Sequence, residues 1–173
     1  LAHRSVAALV DYQSVLTKEK LEVLQKRIAS RFRSLAHKKD LLHTIQVDPE
    51  TFEVRLIDEQ GGELARKELS AGEKQIYAIA TLWGLADTSQ RPLPMVIDTP
   101  LGRLDSDHRT NLIDGYFPKV SHQVIVLSTD TEVDASLFEQ LAPHISHVYQ
   151  LESIPEESGT SVQEGYFWRM EAQ

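Results

Sequence analysis

The sequence of 173 residues contains no cysteine, which excludes disulfide bonds, thiolate metal sites and cysteine nucleophiles. It also lacks any apolar run close to the roughly 20 residues that a membrane-spanning helix needs. We therefore expect a cytoplasmic protein that does not enter a membrane. The chain begins with Leu1 rather than methionine and shows no signal peptide, so we expect it to be a fragment of a longer protein.

Glycine and proline are absent from residues 1–39, and this stretch is predicted to form one long helix. Its apolar residues recur in a heptad-like stripe at Leu21, Leu24, Ile28, Phe32 and Leu35. Such a helix would span about 58 Å at 1.5 Å per residue, which is more than a compact domain of this size. We expect residues 1–40 to be the return helix of a coiled coil, and a packed helix of a bundle is the alternative.

The net charge of −8 is unevenly distributed along the chain. Residues 1–39 hold nine Lys and Arg against three Asp and Glu, a balance of +6, and the remainder holds nine against 23, a balance of −14. The two parts are expected to face different partners. The basic helix is either a solvated coiled-coil face or a contact with the DNA backbone, with Arg27, Arg31 and Arg33 as candidate contacts.

Residues 41–173 are predicted to form an α/β domain. Alternating apolar residues from Phe52 to Leu56, between the turns Asp48-Pro49 and Gly61-Gly62, predict a small antiparallel meander. Strands then alternate with helices, and the apolar run "VIVL" is typical of a buried strand, so we expect a mainly parallel sheet with flanking helices. The expected elements are a helix after Leu69, a strand "PMVID", a helix at 106–117, a strand at 123–129, a helix near 134–142, a strand near 145–151, a loop at 152–165 and a last strand "GYFWRM".

Two stretches carry residues suited to binding a nucleotide. In "LSAGEKQ", Ser70 and Glu73 have the spacing of a capping box, and the small residues at the helix entrance would let a phosphate approach the first N–H groups. In "MVIDTPLGRLD", the strand ends in Asp98, at the edge where Mg²⁺ and phosphates gather in open α/β sheets. Each has an ordinary structural explanation alone, but their order and spacing together indicate a nucleotide site.

In this order, "LSAGEKQ", "MVIDTP", "GRLD" and "VIVLSTD" resemble the signature, Walker B, D-loop and switch strand of an ABC-type ATPase. Together with the lead-in helix, they resemble the C-terminal half-head of the SMC-like DNA-processing ATPases. Within that group the wording is most similar to the DndD family, the ATPases of bacterial DNA phosphorothioate modification. The specific match covers residues 69–134. The resemblance implies that residues 41–173 are the C-terminal lobe of a P-loop NTPase head.

The resemblance also implies ATP and Mg²⁺ as cofactors and a role for each matching residue. Asp98 would hold Mg²⁺, Asp105 would report across a dimer interface, and the remaining cofactor-binding candidates at or beside the γ-phosphate of the opposite protomer are Ser70, Ala71, Gly72, Lys74 and Gln75. The P-loop motif G-x-x-x-x-G-K-[ST] is missing from this sequence. It would therefore lie in an N-terminal half-head, and we expect this fragment alone to be inactive.

Two catalytic candidates depart from the family pattern. Thr99 stands where the family has a glutamate that acts as general base, and Thr129 stands where it has the switch histidine. Threonine can orient a water but cannot accept a proton at neutral pH, and losing a general base costs about 10²–10⁴-fold in rate. We therefore expect a slow ATPase in the longer protein, with Asp98 as the third catalytic candidate, in which Asp130, Glu132 or Asp105 could assist hydrolysis.

The resemblance implies four partners: the chain's own N-terminal half-head, a second copy joined through ATP-sandwiched heads, DNA and the other Dnd modification proteins. It places the protein at the nucleoid of a bacterial cytoplasm. Two alternatives stay open. The first is a non-hydrolysing, nucleotide-sensing clamp or scaffold, which the two threonines favour, and the second is an SMC-like DNA repair ATPase.

Overall fold

The computed structural model describes residues 2–89, 91–154 and 159–167. The first helix, α1, runs from Ala2 to Leu35 and spans about 51 Å at 1.5 Å per residue. Only its C-terminal part lies in the core, where Ile28, Phe32 and Leu35 are buried. Its N-terminal part exposes apolar side chains, among them Val6, Leu9, Val10 and Val15. This uncovered stripe leaves a face free for a second helix, and the coiled-coil pairing stays a prediction.

The helix α1 ends four residues before the predicted end at residue 39. The N–H of Ala36 still donates to the carbonyl of Phe32 at 2.8 Å. The N–H of His37 instead donates to Nε2 of His108, at 3.3 Å, and so leaves the helical pattern. A tertiary contact therefore stops the helix, where local sequence had no glycine or proline to do so.

Helix α2, Ala71–Ser89, lies against α1. The guanidinium of Arg31 lies 3.9 Å from the centre of the Trp83 ring and donates to Oδ2 of Asp87 at 2.9 and 2.7 Å. Arg27 donates to the Asp87 carbonyl, and Arg33 donates to the His43 carbonyl at 3.1 Å. The three arginines that were candidate DNA contacts are thus engaged in holding the fold.

The predicted meander is present. Strands β1 (Thr44–Val47), β2 (Val54–Ile57) and β3 (Glu63–Leu64) form an antiparallel sheet in that order. Asp48 closes the first turn by accepting from the N–H groups of Glu50 and Thr51, both at 2.8 Å. These hydrogen bonds, that of Thr51 first, hold the pKa of the Asp48 carboxyl below its usual value.

Strands β4 (Met95–Asp98) and β5 (Val124–Leu127) are parallel, with Asp98 opposite Leu127. One continuous helical segment joins them: α3 (Ser106–Thr110), a π-helical stretch (Asn111–Tyr116) and α4 (Phe117–Val120). This pair is the only parallel pairing among the described strands. The mixed α/β fold with a parallel pair is thus present, and the larger, mainly parallel sheet stays a prediction. One face of the pair packs on the core, and the other face exposes Val96, Ile125 and Leu127.

Helix α5, Ala135–Leu141, is followed by an antiparallel hairpin of β6 (Tyr149–Ile154) and β7 (Gly159–Glu164). The prediction of a loop over 152–165 is therefore wrong, because β7 owes its conformation to pairing with β6. Of the last predicted strand, residues 165–167 are not in a strand, and residues 168–170 lie outside the described residues. In the described part of the chain, every helix is too short or too polar to cross a membrane.

Candidate functional site

The entrance of α2 forms the predicted capping box. The Ser70 hydroxyl accepts from the Glu73 N–H at 3.2 Å, and Oε2 of Glu73 accepts from the Ser70 N–H at 2.8 Å. Partial burial would raise the pKa of Glu73, but these bonds to Ser70 and the charge of Lys38, 3.5 Å away, hold it below its usual value. Ser70 and Ala71 remain exposed, so this helix start is open to a ligand.

Gly72 brings α2 close to the loop that follows β4. A Cβ added at Gly72 would lie 3.3 Å from the carbonyl oxygen of Arg103, which is tighter than an ordinary van der Waals contact. A glycine at this position therefore permits the close approach of the signature-like turn to the "GRLD" turn. Lys74 is exposed, and no hydrogen bond or ion pair joins its side chain to another described residue.

Asp98 lies at the carboxyl end of β4, next to the end of β5. Its side chain is exposed, and it forms no hydrogen bond or ion pair with any residue in the described part of the chain. A free carboxylate at this edge is the oxygen ligand that Mg²⁺ prefers. Its metal role stays a prediction, and no contact with another described residue positions its carboxylate.

Thr99 adopts a left-handed backbone conformation, with φ of 46°. For a β-branched residue this is a costly conformation, and such strain is typical of functional turns. Its N–H donates to the Leu127 carbonyl at 2.8 Å, which fixes the turn to the end of β5. Nε2 of Gln75 donates to the Thr99 carbonyl at 3.0 Å and to the Pro100 carbonyl at 2.5 Å. Gln75 therefore links the first turns of α2 directly to the strained turn after Asp98.

Asp105 caps the start of α3. Its Oδ1 accepts from the His108 N–H at 3.0 Å, and its two carboxylate oxygens lie 2.8 and 2.9 Å from Nδ1 of His108. The backbone N–H of His108 is the main reason why the pKa of Asp105 lies below its usual value; burial opposes it, and the hydrogen bond to the His108 ring adds to it. The Asp105 side chain stays 60% exposed, so it is held in place and still accessible to a partner.

Thr129, just after β5, is held by three neighbours. Its hydroxyl lies 3.1 Å from that of Thr131 and accepts from the Glu132 N–H at 3.2 Å, and its carbonyl accepts from the Tyr166 hydroxyl at 3.1 Å. The side chain is exposed at the same edge of the sheet as Asp98 and Thr99. When the Thr131 hydroxyl donates in this pair, the Thr129 hydroxyl accepts both bonds and keeps its own hydrogen for a ligand.

Glu132 is a buried acid whose role the sequence did not reveal. Its side chain is 5% exposed, and Oε1 accepts from the Leu101 N–H at 2.5 Å. Oε2 is buried and has no hydrogen-bond partner among the residues that the structure describes. Burial raises the pKa of Glu132, and the N–H groups of Leu101 and Gly102 offset this only in part. Glu132 thus holds the loop between Asp98 and Asp105 through its hydrogen bond from the Leu101 N–H.

We expect Glu132→Gln to change stability in a pH-dependent way. Because the folded pKa of Glu132 is raised, its favourable contribution is complete below the unfolded value of 4.5 and is lost as the pH rises through the folded pKa. The free energy of unfolding of Glu132→Gln, relative to that of wild type, should therefore increase from pH 4 to pH 8, as measured by chemical denaturation. Glu132→Ala removes the same titrating group and should follow the same trend with pH, but it should be less stable than Glu132→Gln by about 1–3 kcal/mol at every pH, because it leaves the buried Leu101 N–H unpaired.

The exposed Glu139 on α5 provides the control, since Glu139→Gln should show no such trend. A stability difference between Glu132→Gln and wild type that stays constant with pH would contradict the assignment of a raised pKa.

Three contacts connect segments that carry predicted site residues. Gln75 contacts the turn at Thr99, Gly72 packs against the turn before Asp105, and Thr129 lies one turn beyond the strand beside Asp98. Within the described residues, no hydrogen bond joins Ser70 to Asp98. Sequence reasoning missed His37 and His108, which contact each other across 71 positions, and no local pattern marks them.

The sequence matches no protein-family model, and a search of curated proteins finds no significant match. Solved structures do match: the chain has a mixed α/β fold similar to that of SMC head domains. A chain from structural work on ATP-driven dimerization and DNA-stimulated activation of SMC ATPases is 14% identical, with a TM-score of 0.59, over 88% of this chain and 89% of that one.

Two archaeal Smc heads are also similar. The Smc head domain with a coiled coil and joint from Pyrococcus yayanosii is 15% identical, with a TM-score of 0.60, over 94% of this chain and 32% of that one. The Pyrococcus furiosus Smc head with an extended coiled coil, bound to the C-terminal domain of ScpA, is 14% identical, with a TM-score of 0.60. The match covers 91% of this chain and 40% of that one. This chain therefore spans only about a third to two fifths of those two proteins.

Proposed function

We propose that this chain is the C-terminal half-head of an SMC-like ATPase, in which two heads close around ATP and Mg²⁺ and act on DNA. The observation that carries the proposal is the pairing of two features on one surface. A free carboxylate, Asp98, lies at the end of a parallel strand. The open, capped start of α2 is joined through Gln75 to the turn that follows Asp98. The likeness to SMC heads supports it.

The uncovered face of the β4–β5 pair supports a missing half-head. Parallel strands are normally buried on both faces, yet Val96 is 60% exposed and Ile125 and Leu127 are each 42% exposed. An N-terminal half-head that carries the P-loop would cover this apolar face and supply the cradle for the phosphates. The fragment alone would then lack both its phosphate-binding loop and one side of its sheet.

In the assembled head, Asp98 would hold Mg²⁺, which would neutralise charge on the phosphates. Ser70, Ala71 and Gly72 would present the start of α2 to the γ-phosphate bound by the other head, where the helix dipole favours an anion. Thr99 would orient the attacking water without taking its proton. Slow hydrolysis is the expected consequence, because positioning and charge stabilisation remain when the general base is lost.

DNA phosphorothioate modification is the process to which we assign this ATPase, with the other Dnd proteins as partners. The assignment rests on the wording of residues 69–134. DNA would lie along the basic α1, where the arginines at 27, 31 and 33 are occupied by Asp87, Trp83 and His43. The exposed Lys18, Lys20 and Lys26 are therefore better placed to meet phosphates.

A nucleotide-sensing clamp that does not hydrolyse ATP is the second candidate. It is favoured by Thr99 and Thr129, since neither can act as a base and the Thr129 hydroxyl is already engaged by Thr131 and the Glu132 N–H. Both functions require the same ATP-dependent closure of two heads. They differ in whether the nucleotide is turned over.

ATP-dependent dimerisation of the chain combined with its N-terminal half-head tests the proposal. We expect wild type to dimerise with ATP and Mg²⁺ in light-scattering measurements. Ser70→Arg should remain monomeric, because a bulky side chain would fill the open start of α2. Ser89→Arg is the matched control, since Ser89 is an exposed serine at the other end of the same helix. If Ser70→Arg dimerises as wild type does, α2 does not face the second head.

A further inference from the structure

The end of α1 and the residues that follow it contact two parts of the candidate site: the turn before α2 and the start of α3. Nδ2 of Asn111 donates to the Leu35 carbonyl at 3.3 Å, and the His37 N–H donates to Nε2 of His108 at 3.3 Å. Nζ of Lys38 lies 3.5 Å from Oε1 of Glu73, the acid of the capping box. The end of the long helix is therefore connected to the turn before α2 and to the start of α3.

The hydrogen bonds of His108 determine which of its ring nitrogens carries the proton. The His37 N–H can only donate, so Nε2 of His108 must accept and the ring proton lies on Nδ1. Nδ1 then donates to Asp105, whose oxygens lie 2.8 and 2.9 Å away. The ring is 8% exposed and meets the His37 ring edge-on at 4.9 Å. His108 is thus a neutral bridge with one side on the end of α1 and the other on Asp105.

The same side chains are less suited to a metal ion. Ligand atoms of His37, Asp105 and His108 lie within 4.8 Å of one another. A metal on Nδ1 of His108 would move the ring proton to Nε2, where it would face the His37 N–H, and two donors would then oppose each other. Nε2 of His37 is also occupied, because it lies 2.8 Å from Oδ2 of Asp107. The hydrogen bonds therefore favour a bridge.

We propose that His108 is a positioning residue that holds Asp105 in a fixed relation to the end of α1, through the backbone of His37. A displacement of the end of α1 would change the position of Asp105. Lys38 offers a second link, to Glu73, but its side chain is 77% exposed and such pairs contribute little. The bridge itself depends only on the geometry of this chain, whereas its consequence for head dimerisation rests on the proposed function.

Amide hydrogen exchange on the 173-residue chain tests the bridge directly. His108→Asn keeps a side-chain donor at the place of Nδ1 but has no acceptor at the place of Nε2. We expect the His37 amide to exchange at least about 10-fold faster in this variant, since it loses its acceptor, while the His108 amide stays protected by Asp105. His108→Phe should accelerate both amides: the His37 amide loses its acceptor, and the amide of residue 108 is less protected because the Asp105 carboxylate that accepts from it has lost its second donor.

Two controls separate the bridge from general unfolding. Amides in the middle of α2, such as that of Ile79, should exchange as in wild type in both variants. His122→Phe, at an exposed histidine outside the bridge, should change neither the His37 nor the His108 amide. If the His37 amide exchanges at the wild-type rate in His108→Asn, or if both variants protect the His108 amide equally, the proposed bridge is overturned.

Dimerisation of the assembled head then tests the consequence. His108→Phe should weaken ATP-dependent dimerisation about 10-fold, the effect of losing one charge-assisted hydrogen bond, with no change in ATP affinity of the single head. His108→Asn should dimerise more strongly than His108→Phe, because Asp105 keeps its donor. Equal dimerisation of wild type and His108→Phe would overturn a role for the bridge at the interface. Failure of wild type itself to dimerise would overturn the proposed function and leave the exchange result to decide on the bridge.

Discussion

Replacing Gly84 with leucine should lower the free energy of unfolding by about 3 kcal/mol or more, because α1 and α2 touch at this residue. A Cβ at Gly84 would lie 2.6 Å from Cγ1 of Ile28 and 3.1 Å from the Ile28 backbone nitrogen. The side chain of Ile28 can move, but the backbone of α1 cannot move alone. The smaller change Gly84→Ala should already cost about 1–3 kcal/mol, and both values can be measured by chemical denaturation.

Gly115 supplies the control for this prediction. It also lies in a helical segment, but a Cβ added there would meet no atom within 4 Å. Gly115→Ala should therefore be neutral or should stabilise the chain by up to about 1 kcal/mol, as expected for glycine to alanine in a helix. If Gly84→Ala is as stable as Gly115→Ala, then α1 does not pack on α2 as closely as described.

The Gly84 contact matters beyond stability because it sets the position of α1. The same interface holds the Arg31 guanidinium over Trp83 and against Asp87. Seven residues after Arg31, past the end of α1, Lys38 pairs with Glu73, the capping acid of α2. A larger residue at 84 would therefore be expected to disturb the signature-like turn as well as the core.

Elements with a strong local pattern were predictable from the sequence. The period of α2, the capping box of Ser70 and Glu73, and the apolar runs of β4 and β5 follow from spacing alone, and the structure has all of them. The hairpin of β6 and β7 was missed because residues 159–164 have a single large apolar side chain, Val162, and that side chain is exposed. Their strand conformation comes from pairing, which local sequence does not encode.

The same distinction holds for the candidate site: the positions of its residues could be predicted, but the contacts between them could not. Ser70, Asp98 and Thr129 could be placed at their turns because each follows or precedes a regular element. The contacts that connect those turns could not be predicted, since they join residues far apart in the chain: Gln75 with the Thr99 carbonyl, and Glu132 with the Leu101 N–H. The left-handed conformation of Thr99 was also hidden, because threonine gives no local signal for positive φ.

ATP hydrolysis by the assembled head should fall at least about 100-fold in Asp98→Ala, the range found when one group that stabilises transition-state charge is removed. Asp98 has no partner among the described residues, so the substitution should leave the free energy of unfolding within about 0.5 kcal/mol of wild type. Asp114→Ala, at an exposed acid on the π-helical stretch, is the matched control and should hydrolyse ATP normally. Normal hydrolysis in Asp98→Ala would remove this carboxylate from the site.

In contrast to Asp98→Ala, Thr99→Glu should retain or increase ATP hydrolysis in the same assay. Glutamate restores a side chain that can accept a proton, and it is not β-branched, so it fits the φ of 46° with less strain than threonine. We expect hydrolysis to be retained or to rise by up to about 10²-fold. Thr131→Glu, on the neighbouring loop, should give no gain. Collapse of hydrolysis in a Thr99→Glu head that still dimerises with ATP would mean that the threonine hydroxyl itself is required.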